Sequence, residues 1–264
     1  MHHLLNQFLK LLRVKLFFAE TLFRAITGHK RSQTILTELY MKSKRSDLLW
    51  SDMKLRRSKL IDVFPNAQDK AVEVYLQRQS IVSGVYDPST EYLVSPLELS
   101  TIAAIAKALA PAQFFEIGTY KGWTLANVAL NLPASTKIYS LDQHRHQSSD
   151  ERVREILKAP NIQLLTGNSF NFDFRPFEGK MDLVFIDGGH DYETVKNDTQ
   201  VALRLVSPKG TILWHDYNLE HLGVYRFINE LARELDLKLI ETTSIVAYRK
   251  GEDRQFSSIS RNRY

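Results

Sequence analysis

Glu116-Ile117-Gly118-Thr119-Tyr120-Lys121-Gly122-Trp123-Thr124 follows an apolar run over 113–117 and leads into a helical stretch over 123–130. The order is strand, glycine turn, helix. Glycines at 118 and 122 let the backbone turn sharply and approach a ligand closely. Free amides at the start of the helix favour a carboxylate, and Glu116 can face an adjoining ammonium group. Asp142, which ends the next apolar run over 137–141, is placed to accept both hydroxyls of a ribose. The two marks together imply a ligand that contains a nucleoside. A dinucleotide site would require Gly-x-Gly-x-x-Gly with a pyrophosphate on the helix start, and a turn with glycines only at 118 and 122 argues against a dehydrogenase.

On either side of this turn, helix and strand signals alternate, which is the signature of a parallel sheet flanked by helices. A helix is expected over 96–109, ahead of the first strand. Further strands are expected over 162–166, ending on Gly167-Asn168-Ser169, over 182–186, ending on Asp187, and over 211–214, ending on His215-Asp216. A helix to about residue 205 and another over 224–235 follow the last two, and 238–242 and 245–249 close the sheet. The fold class is therefore α/β, a Rossmann-like seven-stranded sheet with helices on both faces and a helical extension in front. In such sheets ligands bind beyond the carboxyl ends of the strands, where these polar residues collect.

The division expected is a basic, helical segment over 1–94, a catalytic domain over 95–250 and a polar tail over 251–264. Residues 1–90 carry 15 Lys/Arg against 8 Asp/Glu, and the remainder 20 against 22. The basic excess lies in the first third, where it reads first as a solvated helical surface and second as a contact for anionic lipid or nucleic acid. Over 4–26 the Leu- and Phe-rich sequence is interrupted by Lys10, Arg13, Lys15, Glu20 and Arg24, so it is neither a membrane span nor an export signal. Its spacing predicts an amphipathic helix, for packing on the domain or a second subunit, or for peripheral membrane contact. The absence of cysteine rules out disulfides, thiolate metal sites and a thiol nucleophile. It agrees with a cytoplasmic location without requiring one.

The ordered stretches "FFEIGTYKGWTLANVA", "SLDQ", "TGNSF", "VFIDGGHDYETVKND", "GTILWHDY" and "TSIVAYRK" resemble the class I O-methyltransferases that act on small molecules and sugars, over roughly 95–250. The resemblance implies S-adenosylmethionine held by Glu116, Gly118, Thr119, Tyr120, Lys121, Gly122 and Thr124. It also implies Asp142 and Gln143 at the ribose, Asn168 and Ser169 at the adenine, and Asp187 lining the site. Many relatives have Asp where Asn168 stands. It further implies a divalent metal, usually magnesium, on Asp187 and Asp216, and an acceptor that is a hydroxylated small molecule. His190, three residues past Asp187, is the candidate base, because imidazole titrates near neutrality. His215 is expected to assist a metal, contact substrate or hold Asp216 in place. Asp191 reads as the N-cap of the helix that follows, and Trp123, Phe185 and Trp214 as core.

Two other classes compete. A nucleic-acid methyltransferase would use the basic N-terminal third, but amino-group methylases of bases carry Asn/Asp-Pro-Pro-aromatic after the fourth strand, where this chain has Asp187-Gly188-Gly189-His190. A non-catalytic relative would keep the fold alone, against which stand the intact cofactor loops.

Overall fold

The computed structural model describes residues 55–67, 72–75, 94–144 and 147–251. The proposed amphipathic helix over 4–26 and the tail beyond 251 lie outside the described residues. In chain order the elements are β1 (Arg56–Ser58), α1 (Leu60–Val63), α2 (Pro96–Leu109), β2 (Gln113–Ile117), α3 (Trp123–Ala129), β3 (Lys137–Asp142), α4 (Glu151–Ile156), β4 (Ile162–Thr166), β5 (Met181–Ile186), α5 (Tyr192–Leu205), β6 (Val206–Trp214), α6 (Leu222–Leu231), β7 (Lys238–Ile240) and β8 (Val246–Arg249).

The strands form one sheet in the order β1-β7-β8-β6-β5-β2-β3-β4. Every pairing is parallel except those of β8, which runs antiparallel to β6 and β7. The seven strands read from the sequence are all present. An eighth, β1, pairs with β7 from Arg56↔Lys238 to Ser58↔Ile240, so the segment before residue 95 is not wholly helical among the described residues. A backbone otherwise left unpaired at the β7 edge gains a ladder there. Val63, Phe64 and Ala67, just after β1, enter the same buried cluster as Ile240 and Ala247.

Two boundaries move for identifiable reasons. β6 begins at Val206, five residues ahead of the apolar run, because Met181 of β5 already pairs there, and the register shifts before Leu183↔Thr211. β7 stops at Ile240 because the chain turns at once, with Thr242 at φ +69°.

Period-two alternation assigns the faces. Phe114, Leu183, Phe185 and Leu213 are buried in one cluster with Leu99, Ile102 and Ile105 of α2 and Leu125 and Val128 of α3. The alternate residue Trp214 points the other way and donates its indole N–H to Thr199 of α5 at 2.8 Å. Helices therefore cover both faces, and Trp123, Phe185 and Trp214 are core, as expected. No helix among the described residues is long and apolar enough to cross a membrane.

The sheet reverses direction of growth between β2 and β5, which pair from Phe114↔Leu183 to Ile117↔Ile186. The crevice at their carboxyl ends is the topological switch point, where ligands of open α/β sheets bind.

Candidate functional site

At the switch point the glycine turn is built to be tight. Gly118 has φ +101°, Tyr120 φ +45° and Gly122 φ +80°. A Cβ on Gly118 would lie 2.2 Å from the carbonyl oxygen of Asp187, so glycine alone lets the β2 turn press against the end of β5. Asp187 N–H in turn donates to Ile117 O at 2.8 Å. Glu116 and Asp187 thus adjoin one crevice, though they are far apart in sequence.

Glu116 is 1 % exposed. Ser140 Oγ donates to its Oε2 and lies 2.5 Å from Thr119 Oγ1, whereas Glu116 Oε1 is buried with no hydrogen-bond partner. Burial pushes the carboxyl up to about 8; Ser140 opposes this, and Asp187 and Asp142 add to it. A buried carboxylate oxygen with an unsatisfied lone pair is costly by itself and fits an incoming ammonium group. Asp142, at the end of β3, accepts from Tyr120 N–H at 2.6 Å and from His144 N–H at 2.9 Å, which ties the turn to the second strand. Thr124 is buried in the first turn of α3. Lys121 lies over the ring of Tyr120, and Gln143 is exposed. Asn168 accepts from Phe170 N–H at 2.9 Å, and Ser169 from Asn197 at 3.2 Å. These residues occupy the ends of β2, β3 and β4 in turn.

The ends of β5 and β6 carry a second group. Asp187 Oδ1 lies 3.1 Å from His215 Nδ1, and Asp216 Oδ1 lies 3.3 Å from the same nitrogen. On the far side of this buried ring, Glu98 Oε2 stands 3.6 Å from Nε2. Burial opposes a charge on His215, but Asp187 and Asp216 outweigh it and raise the imidazole well above its ordinary range. Burial likewise resists ionisation of Asp216, and His215 and His190 overcome it and hold that carboxyl low. Asp187 is raised by burial despite His215. The cluster is an imidazole enclosed by three carboxyl groups, and it is nearly closed to water.

His190 sits at the rim. Its Nε2 is 2.9 Å from Asp216 Oδ2, and this bond raises the imidazole's pKa against a smaller effect of burial. Asp191 caps α5 by accepting from Thr194 N–H at 3.0 Å, the structural role read from the sequence. Tyr192 opens that helix and donates to Glu230 at 2.6 Å.

Three contributors were not singled out from the sequence. Ser95-Pro-Leu-Glu98 has the spacing of a capping box, and Ser95 does accept from Glu98 N–H at 3.3 Å. The Glu98 carboxylate also accepts from Ser244 N–H at 2.9 Å and Oγ at 2.7 Å, which brings it under His215. Ser140 carried no signal beyond its place inside β3. His221, in the loop before α6, lies 3.6 Å from Asp216 Oδ1 with its ring centroid 4.0 Å from that of His190.

Sheet order, the glycine turn and carboxylates at the ends of β2, β3, β5 and β6 define an open α/β fold of the methyltransferase type. Residues 115–217 match a family described as a methyltransferase domain. No curated protein matches the sequence. Among solved structures, the O-methyltransferase TomG of Streptomyces achromogenes, involved in tomaymycin synthesis and determined in complex with SAM, is 18% identical with a TM-score of 0.50 over 80% of this chain and 98% of that one. The SAH-bound methyltransferase PaMTH1 of Podospora anserina is 17% identical with a TM-score of 0.49, over 85% and 97%. An O-methyltransferase of Bacillus cereus in complex with SAH is 16% identical with a TM-score of 0.44, over 79% and 99%. At 18% identity the likeness to TomG is one of fold.

Proposed function

We propose that this chain transfers the methyl group of S-adenosylmethionine to a hydroxyl of a small molecule. The observation that carries the reading is the contact of the Gly118 turn with the Asp187 carbonyl. It sets an unpartnered, buried carboxylate oxygen suited to an amino-acid ammonium beside a cluster able to move a proton. When bound, S-adenosylmethionine supplies an electrophilic methyl group on a sulfonium. Glu116 Oε1 takes the ammonium, the amides at the start of α3 take the carboxylate, Asp142 takes the ribose, and Asn168 and Ser169 flank the adenine. Thr119, Tyr120, Lys121, Gly122, Thr124 and Gln143 complete the cradle.

On the acceptor side, Asp216 holds His190 through Nε2–H, which leaves Nδ1 as the basic nitrogen that receives the hydroxyl proton. His215 and Asp187 fix Asp216 from behind, so the dyad is oriented before the acceptor arrives. Asp187 and Asp216 are the residues that would hold magnesium, which would lower the pKa of a coordinated hydroxyl. Their two carboxylates fit a divalent cation. Such a cation would take the place beside Asp187 and Asp216 that the His215 imidazole now holds, and the acid–base roles of His190 and Asp216 do not depend on it.

Calorimetric titration with S-adenosylmethionine, with NAD as the control, tests the reading. Binding of the first and not the second is expected, followed by release of the demethylated cofactor when hydroxylated acceptors are screened. Binding of NAD alone, or of neither, would overturn it.

A further inference from the structure

Beyond Asp187 and His215, at the rim of the same crevice, three side chains converge from separate turns. His190, Asp216 and His221 each offer a ligand atom, and the three atoms lie within 4.8 Å of one another. Ligands on one first-row ion, at about 2.1 Å each, stand no more than about 4 Å apart, so closing the set takes only a small side-chain movement.

The backbone around them brings the set together. Asp216 has φ +61°, the left-handed region. Asn218 Oδ1 then accepts from Glu220 N–H at 2.8 Å and His221 N–H at 3.2 Å, folding the loop back so that His221 stands over Asp216. Two residues on, a Cβ at Gly223 would lie 2.3 Å from His190 O and 2.5 Å from Tyr192 N. Glycine there lets the start of α6 press against the loop that carries His190, and the two rings meet. Unlike the buried His215, the two imidazoles face water, 44% exposed for His190 and 29% for His221, while Asp216, 16% exposed, joins them to the buried cluster.

We infer that His190, His221 and Asp216 form a binding site for a first-row transition dication such as Zn2+, Co2+, Mn2+ or Fe2+, distinct from a magnesium position between Asp187 and Asp216. Imidazole donors suit such ions, whereas magnesium demands oxygen. Two imidazoles and one carboxylate on one side of an ion leave its remaining positions open toward the crevice. The inference rests on reading this rim as the acceptor site, and it changes one role there: with a cation present His190 is a ligand, and the cation takes over the acidification of a bound hydroxyl.

Co2+ is the probe, added to the metal-free full chain and followed by its visible d–d absorption, with S-adenosylmethionine binding measured calorimetrically on the same samples. One Co2+ per chain is expected. His221→Ala should weaken it more than tenfold, Asp187→Asn should leave it in place, and excess Mg2+ should not displace it. Gly223→Ala, which parts the rings without removing a ligand, should weaken it as well. No cobalt spectrum, retention in His221→Ala, loss in Asp187→Asn, or ready displacement by Mg2+ would each overturn the inference. Because cofactor binding is read separately, its persistence without cobalt sinks this inference alone, and its absence sinks the methyltransferase reading.

Discussion

At the residue scale, Glu116 sets two demands against each other. In the folded chain its carboxyl is pushed up to about 8 from an ordinary 4.5, so the unfolded state ionises first. Its contribution to stability is undiminished below about pH 4.5 and declines as pH rises to about 8. Glu116→Gln should therefore make the ligand-free protein more stable at pH 8, by a few kcal/mol at most, with each kcal/mol worth about 2–4 °C in Tm. The same change should weaken S-adenosylmethionine binding by about tenfold or more, the usual worth of a charge-assisted hydrogen bond. At pH 7 the native protein should release a proton on binding, seen as a dependence of the calorimetric heat on the buffer, and the variant should not. Equal heats in all buffers for the native protein would exclude Glu116 as the ammonium partner. On the acceptor side, His190→Ala should lower turnover about 10²–10⁴-fold with cofactor affinity unchanged; undiminished turnover would remove His190 as the base. Glu116, Asp142, Asp187 and His190 were legible because each ends or follows an apolar run. Glu98 and His221 were not, since their roles exist only where a helix cap and a distant loop meet β6 in space.

At the element scale, the β2–α3 turn is defined by one missing methyl group. Gly118→Ala should cost both the strain of a left-handed residue, about 1–2 kcal/mol, and the separation of two strand ends, because its Cβ meets the Asp187 carbonyl. Gly179 is the internal comparison: its φ is +68°, but nothing lies within 4 Å of an added Cβ. Urea unfolding should show Gly179→Ala losing about 1–2 kcal/mol and Gly118→Ala clearly more, with S-adenosylmethionine binding impaired only in the second. Equal losses would mean that the close approach carries no energy. Elements that pair an apolar period with turn chemistry, such as α2 and β4, had their bounds legible in the sequence. β1 was hidden because Arg56-Arg57-Ser58 has neither an apolar period nor β-branched residues, and only the distant β7 makes it a strand.

At the scale of the whole molecule, the proposed cofactor site draws on the ends of β2, β3, β4 and β5, so a bound ligand links both halves of the sheet across its switch point. Hydrogen exchange with and without S-adenosylmethionine should show added protection at 116–122, 142–144, 167–170 and 187–190 together, while the β1–β7 edge is unaffected. Protection confined to the 116–122 turn would contradict a ligand that spans the crevice. The edge strand carries a further consequence, in time rather than in space. During synthesis β1 emerges before every other described strand, yet its partner Lys238–Ile240 is made after all of them but β8. For that interval its backbone groups have no ladder, and non-local pairings of this kind are slow to close. Adjacent like charges, such as those of the Arg-Arg pair in its sequence, disfavour pairing of a waiting strand with a neighbouring chain. The composition that made β1 unreadable as a strand is thus of the kind that disfavours a premature partner before the ribosome delivers β7.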